Sequence, residues 1–255
     1  MEIVELNAIH DLAGDPIAIT ELGDALQSGS LLIARSALDP GLSAQLVQYL
    51  KQVGASSLPT YAPIEVGAPN GHRLNREDER AYVMGCFHQF VFYPWNQDIF
   101  DLFELLRPVY RLKNALSGNH PDRYLSRTGE DGVVARLAFQ FYPAGSGFLA
   151  RHRDPSGEHQ ATVPTVTLST KGVDFVSGGA YLEDLDGTTN YLDDLTKPGD
   201  VVFFGSDLIH GVDIIDENQA TDWLAFQGRW SLLIATNKIV GMTDIADAVE
   251  LGRQT

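Results

Sequence analysis

Apolar residues recur along this chain at two different periods, and the change comes near its middle. Leu42, Leu46, Val47, Leu50 and Val53 fall at helical spacing behind Asp39-Pro40, an N-cap acid followed by a proline suited to a first turn. A helix is therefore predicted from Asp39, with Gly54 placed to end it. Ser30 to Ser36 (SLLIARS) reads as a short strand before it. A second helical stretch is expected from about Asn96 towards Leu116, where Ile99, Phe100, Phe103, Leu106 and Leu112 are apolar and Pro108 should kink or split the helix. Between the two, Ser56 to Tyr82 carries prolines, glycines and charges without a period. It reads as a long excursion over the surface, either a lid or merely mobile.

After Gly132 the period shortens. Segments rich in Val, Ile, Thr, Phe and Tyr predict strands at about Val133 to Tyr142, Thr162 to Ser169, Gly179 to Glu183, Asp200 to Phe204, Ile209 to Ile215 and Trp223 to Thr236. Thr243 to Leu251 reads as a short terminal helix. Short strands following a mixed half predict a mainly β domain, a sandwich or jelly roll with helices packed on one sheet. One domain is expected, divided into a mixed part (1–132), a jelly-roll core (133–238) and a C-terminal extension (239–255).

Alternation distinguishes the two faces of the first of these strands. Leu137, Phe139 and Phe141 should meet the helices, while Arg136, Gln140 and Tyr142 point into the barrel. Thr165, Thr167 and Ser169 repeat the polar face on the next strand. Buried polar groups need partners, so a barrel lined this way suits a polar ligand cavity better than a plain core.

Composition narrows the partners. With 255 residues and 44% apolar side chains the chain can bury a sizeable core. Lys plus Arg number 18 against 34 for Asp plus Glu, a net charge of -16 that would repel a phosphate backbone or an anionic membrane. Neither nucleic acid nor membrane is expected as a partner; a small-molecule substrate is, with the protein a monomer or homodimer. Cys86 is the only cysteine, so no intramolecular disulfide can form. The start Met1-Glu2-Ile3-Val4-Glu5 lacks the basic residues and apolar run of a signal peptide. A cytoplasmic location is the expectation.

His152 and Asp154 are two apart and share one face of an extended segment. Chance yields such a pair roughly 0.6 times in a chain of this composition, so a third ligand is needed to give it meaning. His210, after the turn Pro198-Gly199-Asp200 and the strand to Phe204, lies where a later strand could return beside the pair. Two imidazoles and a carboxylate on one side of a metal make a facial triad that leaves adjacent positions open on Fe(II). Arg229 and Ser231 again share a face, and a guanidinium inside a barrel suits a carboxylate held bidentately.

In order, His152-x-Asp154, Ser177-Gly178-Gly179-Ala180-Tyr181-Leu182, Pro198-Gly199-Asp200-Val201-Val202-Phe203-Phe204, His210 and Arg229-x-Ser231 resemble the Fe(II)/2-oxoglutarate-dependent dioxygenases. The resemblance covers about Arg136 to Ala235. Gly29 to Leu50 is faintly similar to the entry strand and helix of phytanoyl-CoA dioxygenase-like members; prolyl hydroxylase-like members are the other branch considered. It implies a double-stranded β-helix with His152, Asp154 and His210 holding Fe(II). Arg229 and Ser231 would bind the distal carboxylate of 2-oxoglutarate, with Gln140 or Tyr142 assisting. The implied activity uses O2, converts 2-oxoglutarate to succinate and CO2, and oxidises a substrate, most commonly by hydroxylation. Desaturation, ring closure and demethylation also occur in the family. His210 and Arg229 lie further apart than a short hairpin allows, so Asp216 to Asp222 must form an enlarged turn.

Plainer readings stand beside these. His152 and Asp154 alone could be a surface pair beside Arg151 and Arg153; Arg229 could pair with a structural acid; Gln140 and Tyr142 could satisfy each other. Arg136 is a candidate for neutralising an acidic substrate. His88 reads as a hydrogen-bonded core or cavity-lining residue, His72 and His159 as solvated, Cys86 as a buried inert thiol and Trp230 as core packing. The competing functions are a cupin-like metal-dependent hydrolase or isomerase, which has no use for 2-oxoglutarate, and a non-catalytic jelly-roll binding module.

Overall fold

Strand propensity and helix caps divide the chain into alternating layers. The computed structural model describes residues 1–157, 159–241 and 247–252. The N-terminal part runs β1 (Ile3–Leu6), α1 (Ile9–Leu12), α2 (Pro16–Gln27), β2 (Leu31–Ala34), α3 (Pro40–Ser56), β3 (Gly71–Arg76), β4 (Gly85–Phe92), α4 (Leu102–Leu105) and α5 (Arg107–Leu116). The β-rich part follows as β5 (Val133–Pro143), β6 (Phe148–Arg153), β7 (Thr165–Thr167), β8 (Gly179–Glu183), β9 (Thr189–Tyr191), β10 (Val201–Phe203), β11 (His210–Asp213), β12 (Gly228–Lys238) and β13 (Val249–Glu250).

All the described strands join one sheet in the order β1-β2-β10-β7-β12-β5-β4-β6-β11-β8-β9, with β3 added to β4 and β13 to β6. Its spine is the antiparallel pair β5 and β12, in register from Pro143 opposite Gly228 to Val133 opposite Lys238. Two apolar clusters show how the sheet curls. On the outer face, Phe139, Phe141, Trp230 and Leu232 pack against Leu46 and Leu50 of α3 and Tyr110 and Leu112 of α5. On the inner face, Leu31, Ile33 and Val202 meet Ala180, Leu182 and Val212. Those residues sit at opposite ends of the strand order, so they touch only because the sheet doubles back on itself. The result is a double-stranded β-helix with helices on one wall, as expected, and the alternation along β5 is the one anticipated.

The cap at α3 is as foreseen: Asp39 accepts from the Leu42 N–H at 2.8 Å. The same acid-proline signature at Asp15-Pro16 starts α2, where Asp15 accepts from Ile17 N at 2.9 Å, a signal passed over in the sequence. Gly54 does not end α3, which runs to Ser56. A β-carbon there would lie 2.9 Å from the His88 ring and 3.0 Å from Phe90 and Phe226, so this glycine permits close approach of helix to sheet. Pro108 does split the second helical stretch, sitting in the first turn of α5 after α4, and no helix forms over 96–101.

Several boundaries differ from expectation. The excursion from Ser56 to Tyr82 contains β3, paired residue for residue with β4, and both strands were missed along with β9. The expected strand at Thr162 to Ser169 shrinks to β7, and Trp223 to Gln227 precede β12 instead of joining it. Of the expected terminal helix, 243–246 lies outside the described residues; Val249 and Glu250 pair as a strand with Arg153 and His152. Among the described residues no helix is long and apolar enough to cross a membrane.

Candidate functional site

Strands β6 and β11 run antiparallel with His210 directly opposite His152, which puts both imidazoles on one face. Asp154 follows the end of β6, its N–H donating to Ser206 O at 3.0 Å. The three ligand atoms lie within 4.8 Å of one another. Asp154 is 3.7 Å from His152 Nε2 and 3.4 Å from His210 Nε2, one carboxylate oxygen towards each ring. His152 Nδ1 donates to Ala150 O at 2.8 Å and His210 Nδ1 to Leu208 O at 2.9 Å. Each backbone carbonyl thereby sets a tautomer whose Nε2 lone pair faces the other ligands.

Electrostatics agree with a metal-ready set. Burial, with the neighbouring His210, lowers the pKa of His152 to about 4, so this imidazole is neutral near pH 7. Burial also disfavours charge on His210, but the Asp154 carboxylate outweighs it and the pKa is raised. Burial likewise opposes ionisation of Asp154, yet the two histidines and Arg136 hold its pKa below the ordinary value. A metal ion would take the place of the His210 proton. Two nitrogens and one oxygen, with no further His, Cys, Asp or Glu in the group among the described residues, form a donor set that fits Fe(II) with open positions. The surface-pair reading fails on burial, and Arg151 pairs with Glu183 at 2.6 Å instead.

The inner faces of β5, β7 and β12 carry the rest. Register sets Arg229 opposite Tyr142, and Ser231 opposite both Gln140 and Thr167. Arg229 is 2% exposed, its Nε donating to Asp193 at 2.8 Å and its Nη1 to Ser231 Oγ at 3.1 Å. So a structural acid does meet Arg229. Among the described residues Nη2 has no hydrogen-bond partner, leaving one corner of the guanidinium free. The Tyr142 hydroxyl donates to Gln140 Oε1 at 2.9 Å, so these two satisfy each other as the plainer reading had it. The enlarged turn between His210 and Arg229 is pinned by Asp216, whose carboxylate accepts from Val176 N and Ser177 N. Phe226 at its far end enters the outer core.

Two histidines were misread. His72 is buried, not solvated: its Nδ1 lies 2.6 Å from His88 Nε2 and its Nε2 2.8 Å from Ser57 Oγ. The assignment of its segment to a loop hid the alternation that turns it onto the outer face, stacked on Phe90. His159 is half-buried and lines the cavity beside the triad. His88, Cys86 and Trp230 are buried as expected, and desolvation raises the Cys86 thiol pKa.

A cavity of about 440 Å³ opens beside the triad, with His152, Asp154, Gln140 and Arg136 in its wall. Tyr61 to Ile64 and Arg80 to Tyr82, from the excursion read as either a lid or merely mobile, form one side. Asp193, Lys113 and Arg73 were not anticipated. Asp193 lies in the run Leu192-Asp193-Asp194, which has nothing to distinguish it from a surface turn. Lys113 sits in a helix whose charges look solvated, and only the missed pairing of β3 with β4 turns Arg73 inward.

No family model matches the sequence, and no curated protein matches it. Among solved structures, a Pseudomonas putida prolyl-4-hydroxylase superposes with a TM-score of 0.51 at 16% identity, covering 84% of this chain and 96% of that one. A full-length Neurospora crassa protein, solved in complex with alpha-KG, gives 0.53 at 11% identity, covering 93% and 84%. JOX2, solved in complex with 2OG, Fe and JA, gives 0.52 at 13% identity, covering 98% and 77%. The fold is therefore the double-stranded β-helix of the oxygenases.

Proposed function

We propose that this protein is an Fe(II)/2-oxoglutarate-dependent dioxygenase that hydroxylates a small molecule. The observation that carries the reading is the buried His152, Asp154 and His210 set, its Nε2 atoms turned inward by backbone acceptors beside a cavity of ligand size. When bound there, the iron supplies the activation of O2 that couples loss of CO2 from 2-oxoglutarate to insertion of one oxygen atom into a substrate C–H bond. In sum, substrate, O2 and 2-oxoglutarate become hydroxylated substrate, succinate and CO2. The Neurospora crassa and JOX2 structures hold the same cosubstrate in the same fold, which supports the assignment.

The chain's own residues do the positioning. His152, Asp154 and His210 would hold the metal. Arg229, held by Asp193 through Nε, presents its free corner beside Ser231 to the distal carboxylate of 2-oxoglutarate. Gln140 and Tyr142, already joined, form the adjoining wall. The segment Tyr61 to Ile64 forms one side of the cavity. Because Asp193 already neutralises Arg229, one alternative has support: a cupin-like metal hydrolase or isomerase in which Arg229 is purely structural.

One titration separates the two. Wild type, His210→Ala and Arg229→Lys are mixed anaerobically with Fe(II) and 2-oxoglutarate, and the visible metal-to-ligand charge-transfer band is recorded. The expected result is a band in wild type, none in His210→Ala, and about tenfold weaker 2-oxoglutarate binding in Arg229→Lys, where the planar fork is lost. Metal binding without any band in wild type would overturn the oxygenase reading in favour of the hydrolase.

A further inference from the structure

Three strands build a second polar surface above the metal site. Arg73 on β3 lies opposite Gln89 on β4, and Gln89 lies opposite Gln140 on β5, so all three share the inner face. Arg136 is on the same face, four residues before Gln140. Arg73 and Arg136 both line the cavity that holds His152 and Asp154.

The cations of this cavity differ in how they are partnered. Arg80 pairs with Asp78 at 2.6 Å and Lys238 with Asp247 at 2.6 Å. Arg73 donates from Nε to Gln89 Oε1 at 3.0 Å and lies 5.1 Å above the Tyr61 ring, with no acid partner among the described residues. The Arg136 guanidinium has neither hydrogen bond nor ion pair among the described residues, and its Nε is buried without a partner. A desolvated guanidinium without an anion is costly. Burial, with the like charge of Arg73, lowers the Arg136 pKa. Acids are plentiful in a chain with 34 of them. Of the two described carboxylates in the cavity wall, Asp154 faces both histidines of the triad and Asp247 is taken by Lys238. Among the described residues, then, no carboxylate is in contact with either arginine, and Asp154 acts on Arg136 only through a longer-range attraction.

We propose that Arg73 and Arg136 bind the carboxylate of an amphipathic organic acid, the substrate, whose apolar body lies against Phe87, Leu149 and Leu233 with a carbon near the triad. This assignment of substrate class rests on the dioxygenase reading. A guanidinium fork matches a carboxylate in two hydrogen bonds, and two forks from adjoining strands fix the direction in which the acid enters. The apolar walls select the body; the arginines exclude its amides and esters. One other source of carboxylate exists in such a site, namely 2-oxoglutarate itself.

The test separates these sources. Wild type, Arg136→Met and Arg73→Met are loaded anaerobically with Fe(II), and 2-oxoglutarate affinity is read from the charge-transfer band. At saturating 2-oxoglutarate each protein is then titrated calorimetrically with straight-chain acids from hexanoate to decanoate and with 3-phenylpropanoate, each beside its amide. The expected result is 2-oxoglutarate affinity within about threefold of wild type in both variants. At least one acid should bind wild type about tenfold or more tighter than its amide, a preference that both variants lose. Loss of 2-oxoglutarate binding in Arg136→Met would assign the pair to the cosubstrate and overturn the proposal. So would equal binding of acid and amide, no binding of any acid, or a preference that survives both substitutions. Because the direct side-chain contacts of Arg73 among the described residues are with Gln89 and Tyr61, its variant keeps the test valid if Arg136→Met fails to fold. If wild type shows no band while acids still bind metal-loaded protein through the arginines, the dioxygenase reading fails and the anion site stands.

Discussion

Lys113 offers a quantitative test of how the helical wall is built. It lies in α5, is 0% exposed, and its ammonium has one hydrogen bond, to Thr236 Oγ1 at 3.1 Å, with no carboxylate in ion-pair range among the described residues. Burial depresses its pKa from 10.5 to about 7, against the weaker upward pull of Asp154. The gap of about 3.5 pH units corresponds to about 5 kcal/mol disfavouring the charged form in the folded chain. The sign follows from proton counts. Between pH 7 and 10.5 the unfolded chain holds a proton that the folded chain has lost, so stability rises with pH. Below that window the whole cost is present. Lys113→Met keeps the buried stem and removes the ammonium, while Thr236 Oγ1 retains His159 O and Gln160 Oε1 as partners. Urea unfolding of metal-free wild type and variant at several pH values measures the difference. From about pH 7 to about pH 9, wild type should gain about 2 kcal/mol relative to the variant, and the variant should be the more stable protein at about pH 6. Parallel stability curves for the two proteins would refute the reasoning and show that Lys113 keeps an ordinary pKa.

Asp193→Asn leaves the buried Arg229 guanidinium without its anion and should cost about 3–5 kcal/mol in urea unfolding. The double variant with Arg229→Met should recover part of that loss; a cost below about 1 kcal/mol would mean that another group holds Arg229. Gly228→Ala places a β-carbon against the Tyr142 carbonyl oxygen at a positive φ of 140°, so a loss of at least about 2 kcal/mol is expected. A shift in thermal midpoint smaller than that loss implies would show that the start of β12 yields.

The local period alone determined much of this protein. Alternation along Val133 to Tyr142 placed Arg136 and Gln140 inside and Phe139 and Phe141 outside, because a strand's side chains have no other choice once one face is buried. The Asp39-Pro40 cap located the start of α3 to the residue, and Asp15-Pro16 would have located the start of α2 by the same reasoning. The His152-x-Asp154 spacing put two ligands on one face. Which strands become neighbours is set by contacts distant in sequence. Long-range strand pairing brings His210 opposite His152 and Arg73 alongside Arg136, and the tertiary fold brings Asp193 to Arg229. The burial of His72 and that of Lys113 belong to the same class, since each depends on what packs over the residue and not on its neighbours in the chain. Local sequence acts through backbone sterics and a two- or four-residue period, whereas the charge state of a buried group depends on every element that desolvates it.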